Sequence, residues 1–202
     1  KDPINSFYNE GIYVGYRYYE TFNIPTSYEF GYGLSYTNFE YSNIQLDTDT
    51  IGNIKVCVTL KNIGRKTGKE IVQLYISAPT TEIDKPLYEL KAFAKTTLLK
   101  PQESQIVSFL LSAKDLASFQ SGISSWVADK GEYILSIGAS VKDIRQKVSF
   151  HLPSSILVEK VHDVLYPNFS IKDMNSASRK VLKEIPPKRP TKRIPHDFLW
   201  HW

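Results

Sequence analysis

The amino-acid sequence predicts an all-β protein, folded as an antiparallel two-sheet sandwich. The middle of the 202-residue chain consists of short segments rich in β-formers, several of which alternate apolar and polar residues with a period of two. Clusters of Gly, Pro, Asn and Asp separate these segments, as turns between strands do. No long helical pattern interrupts them before Pro153, which excludes the strand–helix alternation of parallel sheets.

Five segments carry the strand signal. The segment NIKVCVTLKN places one apolar face on its strand, made of Ile54, Val56, Val58 and Leu60. The other four are KEIVQLYISAP (69–79), ESQIVSFLLS (103–112), GEYILSIGAS (131–140) and RQKVSFHLP (145–153). Between ESQIVSFLLS and GEYILSIGAS, the segment KDLASF predicts a short turn or a single helical turn. Trp126 precedes the turn at Gly131 and is expected to anchor the core.

The single cysteine, Cys57, excludes a disulfide within the chain. Its apolar, strand-like neighbours predict a buried core thiol. No basic side chain stands near it in sequence, so nothing indicates a nucleophile.

Upstream of the strands, residues 28–36 read YEFGYGLSY, with three tyrosines, a phenylalanine and two glycines. The glycines allow a sharp turn or a close approach of another segment, and the rings need a surface to pack on. The segment lacks the further residues of a phosphate-binding loop. We therefore predict a packed turn between two layers. Its structural residues are Phe30, Gly31, Tyr32, Gly33, Leu34, Ser35 and Tyr36, and we expect the large ones, like Trp126, to be mostly buried.

Arg17 lies among four tyrosines, at positions 13, 16, 18 and 19. The favoured interpretation is a stacked, salt-bridged arginine with a structural role. Direct contact with a sugar is the alternative, because a planar guanidinium and tyrosine rings suit stacking as well. Arg17, Tyr18 and Tyr19 are the candidates for such a contact.

The sequence pattern changes after Pro153. Ser170 is a candidate N-cap, and apolar residues at helical spacing follow it until Pro186 and Pro187. The segment SSILVEKVHDVL (154–165) fits a strand or a helix. The end, PPKRPTKRIPHDFLWHW, is basic and aromatic and has no core of its own. We divide the chain into an irregular aromatic lead-in (1–35), a sandwich (36–152) and a partly helical tail (153–202).

The net charge of +4 lies entirely in residues 153–202, because the 16 basic and 16 acidic side chains of residues 1–152 cancel. The balanced body argues against nucleic-acid binding, for which the tail alone offers a basic stretch. No apolar run has the length of a membrane span. The missing disulfide and signal sequence favour a cytoplasmic location over secretion, and the start KDPINSFYNEG suggests a piece of a longer protein.

Candidate groups for chemistry are few. The local carboxylate pairs Asp47/Asp49, Glu82/Asp84 and Asp129/Glu132 lie in turns and loops, where solvation or local hydrogen bonding is expected. The four histidines have no metal-ligand spacing. We expect no metal, no cofactor and no catalytic residue in this chain.

Several motifs occur in order along the chain and together cover roughly residues 10–150. They are EGIYVGYRYYE, YEFGYGLSYTNFEYSNI, VTLKNIGRKTGKEIVQLYISAP, KPLYELKAFAKTTLLKPQES and WVADKGEYILSIGASVKDIR. In this order they resemble motifs of glycoside hydrolase family 3, the β-glucosidases and β-xylosidases. Ala92 and Gln102 stand where that family usually has Gly, and Val141 where a second Ser is common. These departures concern local turn geometry.

The resemblance implies a C-terminal fibronectin type III-like sandwich, with the aromatic lead-in joining it to a preceding α/β domain. It also implies that the parent is a retaining glycosidase, and we expect a β-glucosidase. Retaining hydrolysis needs two closely placed carboxyl groups. The family's nucleophile motif on a β/α barrel does not occur here, and its acid/base Glu lies in the α/β domain, so the catalytic pair is expected outside this chain.

Three functions remain open from the sequence. The first is a structural domain of a family 3 glycosidase, with the parent's catalytic domains as partners and self-association when it is alone. The second is a stand-alone sandwich that binds carbohydrate or protein, which rests on fold class and tyrosine content. The third, nucleic-acid contact by the tail, has the least support.

Overall fold

Ten strands and two short helices make up the regular structure of the described residues. A computed structural model describes residues 11–49, 52–81 and 83–161. The elements, in chain order, are α1 (Tyr16–Thr21), β1 (Phe39–Thr48), β2 (Ile54–Asn62), β3 (Ile71–Ser77), β4 (Glu89–Lys95), β5 (Ser104–Leu111), α2 (Ala113–Leu116), β6 (Ser118–Gln120), β7 (Ser125–Ala128), β8 (Gly131–Gly138), β9 (Ile144–Leu152) and β10 (Ile156–Lys160). Neither helix is long and apolar enough to cross a membrane.

The strands form two larger sheets and one small sheet. One large sheet has the order β1-β2-β5 and the other β4-β3-β8-β9, and their pairings are antiparallel. The small sheet, β10-β7-β6, is called the insertion sheet, because β6 and β7 lie in the chain between β5 and β8. The predicted all-β antiparallel sandwich is confirmed, and the predicted single helical turn is α2.

The core lies between the two larger sheets. Apolar side chains from both sheets form one buried cluster, in which the predicted face of β2 is buried throughout. Alternation produces this arrangement, since every second residue of a strand points to the same side. Each large aliphatic side chain buried this way stabilises the fold by about 1.5–3 kcal/mol.

Two side chains predicted to lie in the core lie elsewhere. Cys57 is half-buried on the other face of β2, with its Sγ atom 3.2 Å from Ser108 Oγ. The prediction of a core thiol is wrong, because Val56 and Val58 take the core-facing positions on either side of it. The predicted burial of Trp126 is also wrong. This residue is 38% exposed, because it packs beside Phe119 of the insertion sheet and not among the core side chains.

The lead-in is irregular only in part. It contains α1, a helix of six residues that begins after Gly15, whose φ of 58° places the backbone in the left-handed region. Tyr18 is the buried residue of this helix. The sequence carries no clear helical signal for α1, because the segment is short and its aromatic residues have no helical preference.

Strand β10 extends the β-structure beyond Leu152, where the predicted sandwich ends. It pairs with β7, and its residues Ile156 and Val158 pack against the core. The segment that fitted a strand or a helix is therefore a strand over these five residues. The predicted helix after Ser170 and the basic, aromatic end lie outside the described residues. The division of the chain into three segments stays a prediction.

Gln102 shows the turn geometry that the resemblance left in doubt. Its φ is 68°, in the left-handed region that favours glycine, and the residue stands where the family usually has Gly. The backbone N–H of Gln102 donates to the Asn62 carbonyl at 2.7 Å, which keeps the turn before β5 against the end of β2.

Candidate functional site

Helix α1 is bound to the four-stranded sheet by hydrogen bonds from its aromatic and hydroxyl side chains. The Tyr16 hydroxyl accepts from the Leu90 N–H at 2.8 Å, and Thr21 Oγ1 accepts from the Leu87 N–H at 2.9 Å. The Tyr16 ring meets Tyr75 edge-on, with 6.1 Å between the ring centroids. Tyr75 lies on the outer face of β3, since its chain neighbours face the core. Helix α1 therefore covers part of that outer face.

Burial keeps the hydroxyl group of Tyr75 protonated. Desolvation, and then the nearby Tyr16 and Glu20, raise the pKa of its hydroxyl well above the ordinary value. The hydroxyl therefore stays protonated and donates to Gln73 Oε1 in a short hydrogen bond. The pair Tyr75–Gln73 forms the polar centre of the covered face.

Gly31 lies directly against this polar centre. Its carbonyl is 3.4 Å from Gln73 Nε2, which also donates to the Ala139 carbonyl at 2.6 Å. A Cβ atom on Gly31 would lie 2.3 Å from Gln73 Oε1, and its φ is 82°. The prediction of a close approach made possible by glycine is confirmed at this position. At Gly33 a Cβ atom would meet nothing within 4 Å.

The turn between β8 and β9 holds the same part of the lead-in. The Val141 N–H donates to the Phe30 carbonyl at 3.0 Å, and Ser140 Oγ donates to Glu29 Oε1 at 3.0 Å. Ser140 Oγ also accepts from the Asp143 N–H at 2.9 Å, which shapes the turn. Residues 29–31 are thus tied to the sandwich by backbone and polar contacts, and not by their rings alone.

A second polar contact fixes the end of the lead-in where β1 begins. The buried Asn62 side chain accepts from Thr37 Oγ1 at 2.7 Å and from the Gly64 N–H at 3.1 Å. Its amide donates to the carbonyls of Lys66 and Leu99 at 2.8 and 2.9 Å. All four hydrogen-bonding positions of this amide are satisfied, so it clamps the lead-in to two loops.

The large side chains around these two anchors, in residues 28–36, are exposed. We call them the lead-in surface: Tyr28, Phe30, Tyr32, Leu34 and Tyr36. Leu34 is 90% exposed and Tyr36 98% exposed. The predicted burial of Phe30, Tyr32, Leu34 and Tyr36 is wrong in this chain, because the segment is a single layer attached through its backbone. Phe30 stacks on Tyr16, with ring centroids 4.5 Å apart, and the Tyr28 and Tyr32 rings contact each other at 5.3 Å.

The three candidates for a sugar contact lie on α1. Arg17 Nη2 is 3.0 Å from Glu89 Oε1, and the other oxygen of that carboxylate is 3.0 Å from Lys91 Nζ. The salt-bridged Arg17 of the favoured interpretation is confirmed. Tyr18 is buried and meets the Tyr19 ring edge-on at 5.5 Å. A sugar contact by Arg17, Tyr18 or Tyr19 stays a prediction.

A buried ion pair was not foreseen from the sequence. Lys85 Nζ is 2.6 Å from Asp129 Oδ2, and both side chains are buried. Gln120 Nε2 donates to the other carboxylate oxygen at 3.1 Å, and the Tyr133 hydroxyl donates to the Asp129 carbonyl at 2.8 Å. The pair ties the β3–β4 loop to the insertion sheet. Its partners are 44 residues apart in the chain, so no local sequence signal reveals it.

Two further carboxylates, Asp49 and Asp143, have structural partners. Asp49 accepts from the backbone and side-chain N–H groups of Asn53 at 2.8 Å, which closes the β1–β2 turn. Asp143 accepts a bidentate hydrogen bond from Arg145, one contact being 2.7 Å. Glu82 lies outside the described residues.

Glu70, at the start of β3, is a partly buried carboxyl group. Burial raises its pKa above the ordinary value, while the Ile71 N–H, which donates to Glu70 Oε1 at 2.9 Å, and Arg145 oppose the rise. A raised carboxyl pKa is one half of a glycosidase acid/nucleophile pair. The neighbouring Asp143 is already bound to Arg145 and does not form such a pair with Glu70. We therefore assign Glu70 a structural role.

Comparison with known proteins supports one family over most of the chain. Residues 70–141 match the family model described as a fibronectin type III-like domain. The chain is 40% identical over 187 residues to the thermostable β-glucosidase B of Acetivibrio thermocellus, covering 88% of this chain and 24% of that protein. The chain thus spans about a quarter of the length of the curated relatives it matches.

Solved structures give the same result. β-Glucosidase 3B of Thermotoga neapolitana, solved in complex with glucose, is 48% identical with a TM-score of 0.71, and the match covers 74% of this chain and 20% of that one. The β-glucosidase of Kluyveromyces marxianus is 36% identical with a TM-score of 0.71, over 76% and 19% of the two chains. In these relatives the matched region is one part of a larger enzyme.

Proposed function

Since the chain carries the fibronectin type III-like region of glycoside hydrolase family 3, we propose that it is the structural sandwich of a retaining β-glucosidase. The full-length enzyme would hydrolyse terminal β-glycosidic bonds with a catalytic pair that lies outside this chain. The observation that carries the proposal is the extended match to β-glucosidases, of which the chain spans about a quarter.

The arrangement of the described carboxylates agrees with a non-catalytic role. Retaining hydrolysis requires two carboxyl groups that are free to face a substrate. Asp129 is buried against Lys85, Asp143 is bound to Arg145, and Asp49 closes a turn. Their present partners hold the fold together.

The lead-in surface is the part of the chain that we assign to contact with the catalytic domains. The Gly31 carbonyl and the Thr37 side chain tie this segment to the rest of the chain, while the large side chains of the lead-in surface are exposed. An exposed apolar patch of this kind is typical of an interface. Aromatic residues are enriched in such contacts. In the isolated chain the same surface would favour self-association.

Hydrolysis of an aryl β-glucoside tests where catalysis lies. We expect turnover by the full-length enzyme and none by this chain at equal molar concentration. Activity of the purified chain that survives further purification and scales with its concentration would contradict the proposal. Absence of activity in the full-length enzyme would contradict it as well.

Substitutions on the lead-in surface test the docking role. In the full-length enzyme, Leu34→Asp with Tyr36→Asp should lower the thermal midpoint and separate the unfolding of the sandwich from that of the catalytic domains. The control is Leu110→Asp, a 77% exposed leucine on β5 of the β1-β2-β5 sheet. Equal effects of the two variants would count against the assignment.

Light scattering on this chain alone tests self-association. The intact chain should form larger species as concentration rises, and the Leu34→Asp, Tyr36→Asp variant should remain closer to a monomer. A strictly monomeric intact chain would exclude self-association through this surface.

A further inference from the structure

The insertion sheet carries a row of side chains that the proposed structural role does not use. Phe119 on β6 pairs in register with Trp126 on β7, and Trp126 pairs with Glu159 on β10. Directly opposed residues of antiparallel strands lie on the same face. Phe119 and Trp126 therefore share one face, and Glu159 opposes Trp126 beside a β-bulge between Leu157 and Glu159. The three positions cross three strands, about 10 Å at the usual strand spacing.

The first half of this row is aromatic and open to solvent. The rings of Phe119 and Trp126 are 5.5 Å apart between centroids and are inclined by 60°. Phe119 is 37% exposed, which is close to the value for Trp126. Because the rings are inclined, one can lie under a flat ligand face while the other meets the ligand edge. Ile123, in the β6–β7 turn, is exposed beside them in the chain.

The second half of the row is charged. Glu159 Oε2 is 3.5 Å from Lys114 Nζ of α2, and both side chains are mostly exposed. Together they offer carboxylate acceptors and ammonium donors next to the rings. A purely apolar partner would strip water from these charges without replacing the hydrogen bonds, which is unfavourable. A ligand that covers the whole row therefore needs an apolar face together with hydrogen-bonding groups, and a sugar supplies both through its C–H face and its hydroxyl groups.

We propose that this row is a binding subsite for a β-linked gluco-oligosaccharide. The C–H face of a pyranose stacks on Trp126, Phe119 contacts the ring edge, and hydroxyl groups of the next sugar bond to Glu159 and Lys114. The row has the scale of a disaccharide. The choice of a β-linked glucan rests on the proposed function, whereas the stacking site itself rests on the geometry of the row.

The subsite is separate from the lead-in surface. The lead-in is bound to β3, to β4 and to the β8–β9 turn. The row lies on the third sheet, so occupation of the lead-in surface by another domain leaves a distinct surface for sugar.

Isothermal titration of this chain with cellotetraose tests the subsite, with maltotetraose as the α-linked comparison. We expect weak, saturable binding of cellotetraose and a lower affinity for maltotetraose. Phe119→Ala and Glu159→Gln should each weaken binding roughly tenfold, the order of magnitude of one lost aromatic or charge-assisted contact. Both residues are solvent-accessible, so these variants are expected to fold, and circular dichroism checks that they do.

Phe93→Ala is the matched control, because Phe93 is an exposed phenylalanine on β4, away from the insertion sheet. This variant should bind cellotetraose as the unchanged chain does. No binding by the unchanged chain, unchanged binding by both row variants, or an equal loss in Phe93→Ala would overturn the subsite. Hydrolysis by the full-length enzyme combined with no binding by this chain would overturn the subsite and leave the proposed function standing.

Discussion

The core strands and the lead-in are both rich in large apolar side chains, yet only the core strands bury them. Tyr133 and Leu135 on β8 are fully buried, whereas Tyr36 and Leu34 are among the most exposed residues described. Composition does not separate the two regions. The difference is that β8 has a second sheet opposite it, while residues 28–36 form a single layer.

The two regions are also held in different ways. The core is stabilised by apolar burial, which is not directional and scales with area. The lead-in is held by directional bonds through the carbonyls of Gly31 and Phe30 and through the side chain of Thr37, which leave its large side chains outside. Hydrogen bonds of this kind fix the position of the segment and leave its large side chains exposed.

A matched pair of leucines gives the largest expected contrast. Leu135→Ala should lower the free energy of unfolding by about 4 kcal/mol, since it leaves a cavity in a close-packed core. Leu34→Ala should change it by no more than about 0.5 kcal/mol. Urea unfolding of both variants measures the difference. Similar losses in the two would show that the lead-in is packed in solution, which would break the comparison.

Ion pairs should show the next largest contrast. Asp129→Ala leaves the Lys85 charge buried without a partner and should cost about 3 kcal/mol. Lys142→Ala removes the half-exposed pair with Glu20 of α1, 3.7 Å apart, and should cost about 0.5 kcal/mol. Thermal unfolding at neutral pH measures both. The double variant Lys85→Met, Asp129→Met should be more stable than Asp129→Ala, and the opposite order would argue against a buried charge as the cause.

The two lead-in glycines sharpen the account of how that region is held. Gly31→Ala should cost about 2 kcal/mol of local stability, because its φ is strained for alanine and the added Cβ would collide with Gln73. Gly33→Ala should be close to neutral. Hydrogen exchange at the Val141 amide, which bonds to Phe30, reports the effect. Equal protection in both variants would indicate that the close approach is not needed.

Gln102 is the converse case within the sandwich. Gln102→Gly should stabilise the fold by about 1 kcal/mol, since glycine removes the cost of a left-handed residue while the hydrogen bond to Asn62 remains. The midpoint of urea unfolding measures this change, with Gln105→Gly on β5 as a control expected to destabilise. A loss of stability in Gln102→Gly would mean that the side chain contributes more than the strain costs.

The smallest expected effect concerns Glu70. Its pKa is raised in the folded chain by burial, so its contribution to stability is fully present below the unfolded pKa and is lost as pH rises through the folded value. Glu70→Gln, which keeps an acceptor for the Ile71 N–H, should therefore be slightly more stable than the unchanged chain at pH 7. The difference should vanish in mild acid. A difference that is independent of pH would refute the assigned cause.

The sequence by itself determined five of the seven strands in the two larger sheets, namely β2, β3, β5, β8 and β9, and did not single out β1 and β4. The face Ile54, Val56, Val58 and Leu60 follows from a period of two, and the single turn of α2 follows from its local residues. These features need only neighbours in the chain. The ordered motifs were equally legible, and they identified the family.

Only the tertiary structure decided which side chains have something opposite them. The insertion sheet joins segments from before β8 and after β9, and Lys85 meets Asp129 across 44 residues of chain. The same holds for Trp126 and Tyr36, which the sequence marks as large and apolar but which no second layer covers. Periodicity assigns a side chain to a face, whereas burial depends on whether distant parts of the chain pack against that face.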